Sequence, residues 1–445
     1  MNQRPNVLWI FSDEHRAQAM GCSGDVNVST PYLDKLADGG CRYEHAYSCA
    51  PLCSPFRACL LSGKYINEHG VHSLHIPLAN QKLIAETMQE YGYRTSYYGK
   101  WHISGGAAPS HFVSGYYRKG FDEFVGWENS NRFFETTYCT DNDANPQKPQ
   151  TLGGFQTDAL TDLALEGLKK NIHQERPWFQ IISYEAPHPP YVQDDTDIDE
   201  YCRQYAPADY LRRLEQREIV LRKNVSCSSE EMPRLIRRLK AYYAAIENLD
   251  DNIGRLCQYL ERAGQLDNTI IFYFSDHGDF FGSHGRYGKT RAEEESSGIP
   301  LIVHWPAAIA PHQVRTELFS GVDIAPTMFG LLGLPVPSYC SGMDLSHQPL
   351  GQRGKDREAL LIQFDRLFYN SHPTASRFRA LVVPDYKYIY YQNGNREVLY
   401  DLKNDPYELE NLAGRDNFQE TRRTLKQQLL QTLYAVNDDF AQQIL

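Results

Sequence analysis

The stretch IIFYFSDHGD, Ile270 to Asp279, reads as a strand that runs straight into reactive side chains. Ile270–Phe274 is a continuous apolar run of the kind buried on both faces of a sheet, and Ser275-Asp276-His277-Gly278-Asp279 follows at its carboxyl end. The pattern recurs along the chain. Val7–Phe11 runs into Ser12-Asp13-Glu14-His15, Arg94–Tyr98 into Gly99-Lys100-Trp101-His102, and Trp178–Tyr184 into Glu185-Ala186-Pro187-His188. Short apolar strands alternating with amphipathic helices predict an α/β fold, with a mostly parallel central sheet flanked by helices on both faces. In such a sheet the carboxyl ends of the strands form the ligand-binding edge. A lone Asp after a strand is usually a turn former or helix cap; four strands ending this way gather carboxylates, histidines and a lysine at one edge.

The helices are marked by their ends. Thr30-Pro31 opens one and Gly39-Gly40 closes it. Further helical sequence covers 54–62, 82–91, 230–263 and 323–332, and Ile299–His304 is another strand. Residues 103–155, rich in Gly, aromatic and polar residues, read as long loops beside a site, and 192–229 is charged and ambiguous. Composition shifts near 346–358. Beyond it, Ala380–Val383, Tyr386–Tyr391, a turn at Asn393-Gly394, Val398–Asp401 and a polar helix from 416 to 435 predict a small antiparallel sheet plus helix. The expected division is a catalytic domain, 1–350, and a C-terminal subdomain, 351–445.

A chain of 445 residues with 41% hydrophobic and 23% charged residues has the composition of a globular protein able to bury a sizeable core. Its formal net charge of −11 argues against nucleic-acid or anionic-membrane binding, but not against an anionic substrate, which a few local cations can hold. No run approaches a membrane span. The early apolar run Val7–Phe11 is too short for a signal core, so a cytoplasmic protein is expected. Ten cysteines without a CxxC pair are expected to be mostly buried free thiols of a reducing compartment.

Two groups of residues carry chemistry. Asp13 and Asp276, with His277 and Glu14, offer hard oxygen donors and one imidazole, which suits Ca²⁺, Mg²⁺ or Mn²⁺ better than a thiolate-rich zinc site. Cys53-Ser54-Pro55-Phe56-Arg57 places a cysteine at a helix N-terminus with Arg57 one turn on. Local physics leaves two readings: a thiol whose pKa is depressed beside a bound anion, or a buried structural cysteine.

With these motifs in order, the chain resembles the sulfatase family of the alkaline-phosphatase-like superfamily. Cys53, Pro55 and Arg57 match the family's C-x-P-x-R signature, and LLSGKY trails it. PNVLWIFSDEHR at the start, YYGKWH at 97–102, APHPPY at 186–191, FSDHGD at 274–279 and LYDLKNDPYELENLA at 399–413 extend the likeness over nearly the whole chain. The resemblance implies a sulfuric-ester hydrolase in which a maturation enzyme oxidises Cys53 to formylglycine. One hydroxyl of the hydrated aldehyde attacks sulfur, and deprotonation of the other releases sulfate. It further implies one divalent metal, Ca²⁺ with Mn²⁺ as the alternative, on Asp13, Glu14, Cys53, Asp276 and His277. Arg57 would hold the diol and His102 would act as base. Lys100, His188 and Lys289 would balance charge on the sulfate and leaving oxygens. The expected partner is a small anionic sulfate ester, such as a sulfated sugar or an alkyl or aryl sulfate.

Glu14 stands where many sulfatases have Asp, and His277 where many have Asn or Gln. The Asp-His pair also resembles phosphonate monoester and phosphodiester hydrolases that use the same formylglycine, which makes such a hydrolase the alternative. Two further rivals are a non-catalytic binder with Cys53 unconverted and an enzyme using the Cys53 thiol directly. Arg118, Arg132, His111 and Arg377 are candidate contacts to a carboxylate or second sulfate on the substrate.

Overall fold

The computed structural model describes residues 4–106, 110–141, 149–190, 196–365 and 377–444. Its centre is a ten-stranded sheet. The strand order is Gln313–Arg315, Cys41–Tyr43, Leu301–His304, Thr269–Ser275, Asn6–Ser12, Trp178–Ser183, Arg94–Lys100, Glu123–Trp127, Thr137–Thr140 and Gln150–Thr151. The middle of the sheet is parallel: Asn6–Ser12 pairs with both Thr269–Ser275 and Trp178–Ser183, and Arg94–Lys100 pairs with Trp178–Ser183 and Glu123–Trp127. Leu301–His304 runs antiparallel to Thr269–Ser275 and begins two residues later than the apolar pattern alone suggests.

Alternate residues of each central strand serve opposite layers, as the pleat requires. Val7, Trp9 and Phe11 pack with the Cys53–Ser62, Ile84–Glu90 and Ile324–Leu331 helices, through Phe56, Met88 and Phe329 among others. Leu8 and Ile10 point the other way, onto the Pro31–Asp38, Gln156–Ile172 and Met232–Arg262 helices, through Leu33, Leu160 and Ile253. Both faces are therefore covered, which is why the strands read as continuous apolar runs rather than alternating ones.

A second sheet, antiparallel, follows the order Leu360–Phe364, Phe378–Val382, Tyr386–Tyr391 and Arg396–Asp401, with the Gln419–Ala435 helix beside it. Gly394, at φ 71°, makes the expected turn between its last two strands. The first of these strands was not expected from the sequence. It is fully buried, and its Gln363 N–H donates to Cys49 O at 2.9 Å while its side-chain oxygen accepts from Ile66 N at 3.0 Å. One face of this sheet joins the main core through Leu361, Leu381 and Leu399; the other packs on Tyr47 and Leu52, just ahead of Cys53.

Two regions expected to be irregular are partly regular. Residues 103–155 contain the Glu123–Trp127, Thr137–Thr140 and Gln150–Thr151 strands, and 192–229 contain helices Ile198–Tyr205 and Ala208–Glu215. Within these spans, 107–109, 142–148 and 192–195 lie outside the described residues, as does Tyr191 of the APHPPY motif. No described helix is long and apolar enough to cross a membrane.

One backbone contact governs the sheet edge that carries the site. Gly99 has φ 108°, and a Cβ there would lie 2.1 Å from Ser183 O on the neighbouring strand. Backbone oxygen cannot give way as a flexible side chain can, so the two strands close only around glycine. Gly99→Ala is expected to lower stability by about 3 kcal/mol or more, the upper range for overpacking plus a left-handed φ, as read from denaturant unfolding. Wild-type stability in this variant would show that the strands have slack there.

Candidate active site

The register Ser12↔Ser275 sets Asp13 and Asp276 side by side at the ends of adjacent strands. Asp276 Oδ1 accepts from Glu14 N at 3.0 Å and His277 N at 2.9 Å, whereas its Oδ2 is buried and has no hydrogen bond. His277 Nδ1 faces Gly278 O at 3.0 Å and must carry the proton, which leaves Nε2 bare in the neutral ring. Cys53 Sγ sits 3.2 Å from that Nε2 and 3.5 Å from Asp13 Oδ1. One donor atom from each of Asp13, Cys53, Asp276 and His277 falls within a 4.8 Å cluster, fully buried.

Cys53 is the first residue of its helix, whose every residue is buried. Arg57, one turn on, does not turn to the thiol. Its Nη2 reaches Asp13 Oδ2 at 3.0 Å and Asp276 Oδ2 at 3.4 Å, and its Nη1 donates to Lys100 O at 2.9 Å and Ser183 Oγ at 2.6 Å. The depressed thiol pKa considered from the sequence is therefore not found. Burial, with Asp13 adding to it, pushes the Cys53 thiol up, because the guanidinium is spent on the carboxylates.

Lys100 is the last residue of its strand and is fully buried between Asp13 Oδ2 at 2.8 Å and Glu185 Oε1 at 3.3 Å. Burial alone would lower its pKa, but Asp13 and then Glu185 outweigh it and raise the value. Asp13 is correspondingly held well below the usual carboxylate range: burial opposes this, and the fixed cations Lys100, Arg57 and Lys289 prevail. On the other side, Lys289 Nζ donates to Glu14 Oε2 at 2.7 Å and lies 3.1 Å from His188 Nε2, which is itself 3.1 Å from Glu14 Oε2. Burial pushes Glu14 up to about 8 against the pull of Lys289, with Asp279 adding to the rise. Burial, reinforced by Lys289 at His188 and by Lys100 at His102, keeps both imidazoles neutral. Glu14 and His102 hold left-handed φ values of 70° and 60°, costly for non-glycine residues and typical of constrained sites.

All the candidate residues thus converge, in two lobes joined by Asp13: Cys53, Arg57, Asp276 and His277 in one, Glu14, His188 and Lys289 in the other. Lys100 bridges to Glu185, and His102 lies beside Asn129. The donor set fits a hard divalent cation. It combines the carboxylates of Asp13 and Asp276 with a bare imidazole nitrogen, and Asp276 Oδ2 has no hydrogen bond, with only the Arg57 ion pair at 3.4 Å.

The comparisons decide the family. The Sulfatase family model matches residues 5–334. The chain belongs to the sulfatase family. A second model, N-sulphoglucosamine sulphohydrolase, C-terminal, matches residues 282–435. Among curated proteins, the ulvan-active sulfatase of Formosa agariphila is 30% identical over 442 residues, covering 98% of this chain and 82% of that protein. The solved structure of yidJ from Bacteroides fragilis superposes with TM-score 0.88 at 26% identity, covering 99% and 98% of the two chains. Another, in complex with its substrate D-glucosamine-2-N,6-O-disulfate, superposes with TM-score 0.82 at 25% identity over 98% and 99%. The protein is accordingly a sulfuric-ester hydrolase with the fold of its relatives.

Several residues of this sulfatase's site went unassigned in the sequence. Glu185 follows a strand in plain view, yet its role appears only in three dimensions. It takes Lys100 and three neutral donors: Trp127 Nε1 at 3.1 Å, Ser130 N at 2.9 Å and Gln156 Nε2 at 2.7 Å. Ser183 Oγ also donates to Lys100 O at 2.8 Å, and Asn129 Nδ2 lies 3.2 Å from His102 Nε2. Of the loop candidates, Arg118 pairs with Asp141 at 3.2 Å, and Arg377 with Asp365 at 2.8 Å and Asp439 at 3.2 Å. Arg132 is exposed and His111 half-buried. Removing one partner of a buried ion pair costs about 3–5 kcal/mol. Glu185→Ala is therefore expected to lose that much stability in urea unfolding, and Glu185→Gln, which keeps an acceptor, roughly half. Equal, small losses in both would show that Glu185 does not anchor Lys100 and the 127–131 segment.

Proposed function

We propose that this sulfatase cleaves the sulfate ester of a sugar with formylglycine made from Cys53 and one divalent cation, Ca²⁺ with Mn²⁺ as the alternative. The observation that carries the proposal is the placement of the Cys53 side chain inside the Asp13–Asp276–His277 donor group, with Arg57 directed at the carboxylates. Asp13, Asp276, His277 and residue 53 would hold the ion. The formylglycine hydrate and the ion together supply an activated oxygen nucleophile with a second hydroxyl for its own release.

The chain's own groups do the rest. Arg57 fixes the two aspartates and, through Lys100 O, the end of the Lys100 strand. Lys100 and Lys289 present N–H groups to the sulfate oxygens, and Lys289 also faces the leaving oxygen; His188, with its one ring proton on Pro189 O, accepts from Lys289 at Nε2 and aims it there. Glu14 holds Lys289 and His188 in place rather than joining the four-donor group. His102, neutral through burial, takes the proton that frees sulfate. Its Nδ1 is buried without a partner, and so is Asn129 Oδ1. An Asn129 amide turned to bring Oδ1 onto Nε2–H leaves Nδ1 as a bare base.

The maturation enzyme implied by the C-x-P-x-R match must act before the Cys53 helix is buried. The sugar assignment draws on the solved relative that holds a disulfated glucosamine. Residues 351–445 act as a subdomain bracing the segment ahead of Cys53, beside a catalytic unit of 1–350. The ten free cysteines fit a reducing compartment, which supports a cytoplasmic setting. The Asp276–His277 pair favours one second reading, a phosphonate monoester or phosphodiester hydrolase on the same site.

Steady-state rates on matched aryl sulfate, aryl phosphonate and aryl phosphodiester substrates separate the two. A higher kcat/KM on the sulfate is expected; a preference for either phosphorus ester would transfer the site to the second reading. His102→Ala is expected to lower kcat on the aryl sulfate by about 10²–10⁴-fold, the usual worth of a general base, with Tm close to wild type. Chelation with EDTA is expected to abolish turnover, and added Ca²⁺ to restore it. Turnover that survives exhaustive chelation would remove the metal from the account.

A further inference from the structure

We infer that Arg238 is the receptor for a second anionic group, a carboxylate or another sulfate, on the sugar whose ester this enzyme cleaves. The inference rests on the sulfate-ester reading above and extends it to the alcohol side of the substrate.

Arg238 differs from the other cations considered for this role. Arg118 and Arg377 already hold carboxylates, and Arg132 stands exposed. Arg238 is half-buried, makes no ion pair among the described residues, and has a buried Nε with no hydrogen bond. What holds it is aromatic: its guanidinium lies 5.1 Å from the Tyr201 ring centroid and 5.7 Å from that of Tyr287. Two rings fix the plane of the fork while leaving its N–H edge without an acceptor among the described residues. A guanidinium arranged this way is pre-organised for bidentate capture of an oxyanion. Cation–π contact alone stabilises a guanidinium by less than it costs to strip water from an unpaired charge.

The position is set by elements that already carry the site. Arg238 lies one helical turn before Tyr242, whose hydroxyl donates to Glu14 O at 3.0 Å. Tyr287 is two residues from Lys289, in a loop closed by Asp279 Oδ1, which accepts from Phe281 N at 2.7 Å and Gly288 N at 3.2 Å. Tyr201 packs edge-on against Tyr205, whose hydroxyl donates at 2.6 Å to Pro187 O, next to His188. The pair of rings therefore flanks the His188–Lys289 side, where the leaving alcohol departs. The Tyr287 ring is 46% exposed and offers a face for a sugar to stack upon.

The test uses matured full-length enzyme. The probes are an aryl sulfate with no second charge, a panel of monosulfated monosaccharides, the same sugars with a second sulfate, and sulfated disaccharides bearing a uronate carboxylate. The best kcat/KM among the sugars should fall on a probe with a second anion, and whether that is the disulfated or the uronate series identifies its source. Arg238→Gln should reduce kcat/KM on that probe at least tenfold more than on the aryl sulfate, chiefly through KM, and Arg238→Lys should restore part of the loss. Equal losses on all probes would make Arg238 a structural residue and overturn the inference, as would a best sugar that carries no second anion. Failure of the wild type on every sulfate ester, aryl included, would instead remove the sulfate reading, and the subsite with it.

Discussion

A guanidinium with no access to water, Arg57, is the interaction on which the site depends. It lies between Asp13 and Asp276, at 3.0 and 3.4 Å, and stands 4.9 Å from the Phe11 ring centroid. With Lys100 it keeps Asp13 ionised in the core of a parallel sheet, it opposes the rise that burial and Asp13 impose on Asp276, and it could not be buried without the two carboxylates. The same side chain grips Lys100 O and Ser183 Oγ, so one residue ties together the ends of four strands and the start of the Cys53 helix. This explains why a helix with every residue buried presents a cysteine to a group of hard donors: the charge that would have activated a thiol is committed elsewhere.

Strand pairing supplies the precision. Gly99 allows the Lys100 strand to close on Ser183, and the one-to-one register of the first and Thr269–Ser275 strands sets Asp13 beside Asp276. Both lobes of the site share Asp13. A change in one lobe is therefore felt in the other through a single carboxylate, held well below the usual range by Lys100, Arg57 and Lys289 together despite its burial.

Much of this was legible in the sequence, for reasons that can be named. Strands buried on both faces announce themselves as apolar runs, and polar residues at their carboxyl ends mark the functional edge; Asp13, Lys100, His188 and Asp276 all follow that rule. Residues acting through tertiary contacts stayed hidden. Glu185 was visible as a residue but not as the acceptor of four donors, because Trp127, Ser130 and Gln156 reach it from segments without periodicity. The Leu360–Phe364 strand escaped notice because a short apolar run after a charged stretch carries no alternation. Helix position and Arg57 left a depressed thiol pKa and a buried structural cysteine both open; the pKa rises through burial and Asp13, with Arg57 directed at the carboxylates, and both are tertiary facts. Arg238 sits in a helix whose pattern says only that it is amphipathic, and that it makes no ion pair among the described residues is a tertiary fact.

The central claim is that residue 53 acts as formylglycine. The most direct measurement is the mass of the proteolytic peptide containing Cys53, taken from protein made with and without a maturation enzyme, alongside turnover of an aryl sulfate by each preparation. The account predicts formylglycine mass at position 53, with turnover proportional to its fraction and absent from unconverted protein. An intact thiol at position 53 in protein that turns over at full rate would contradict it, and would return the role of nucleophile to Cys53 itself or to a metal-bound water.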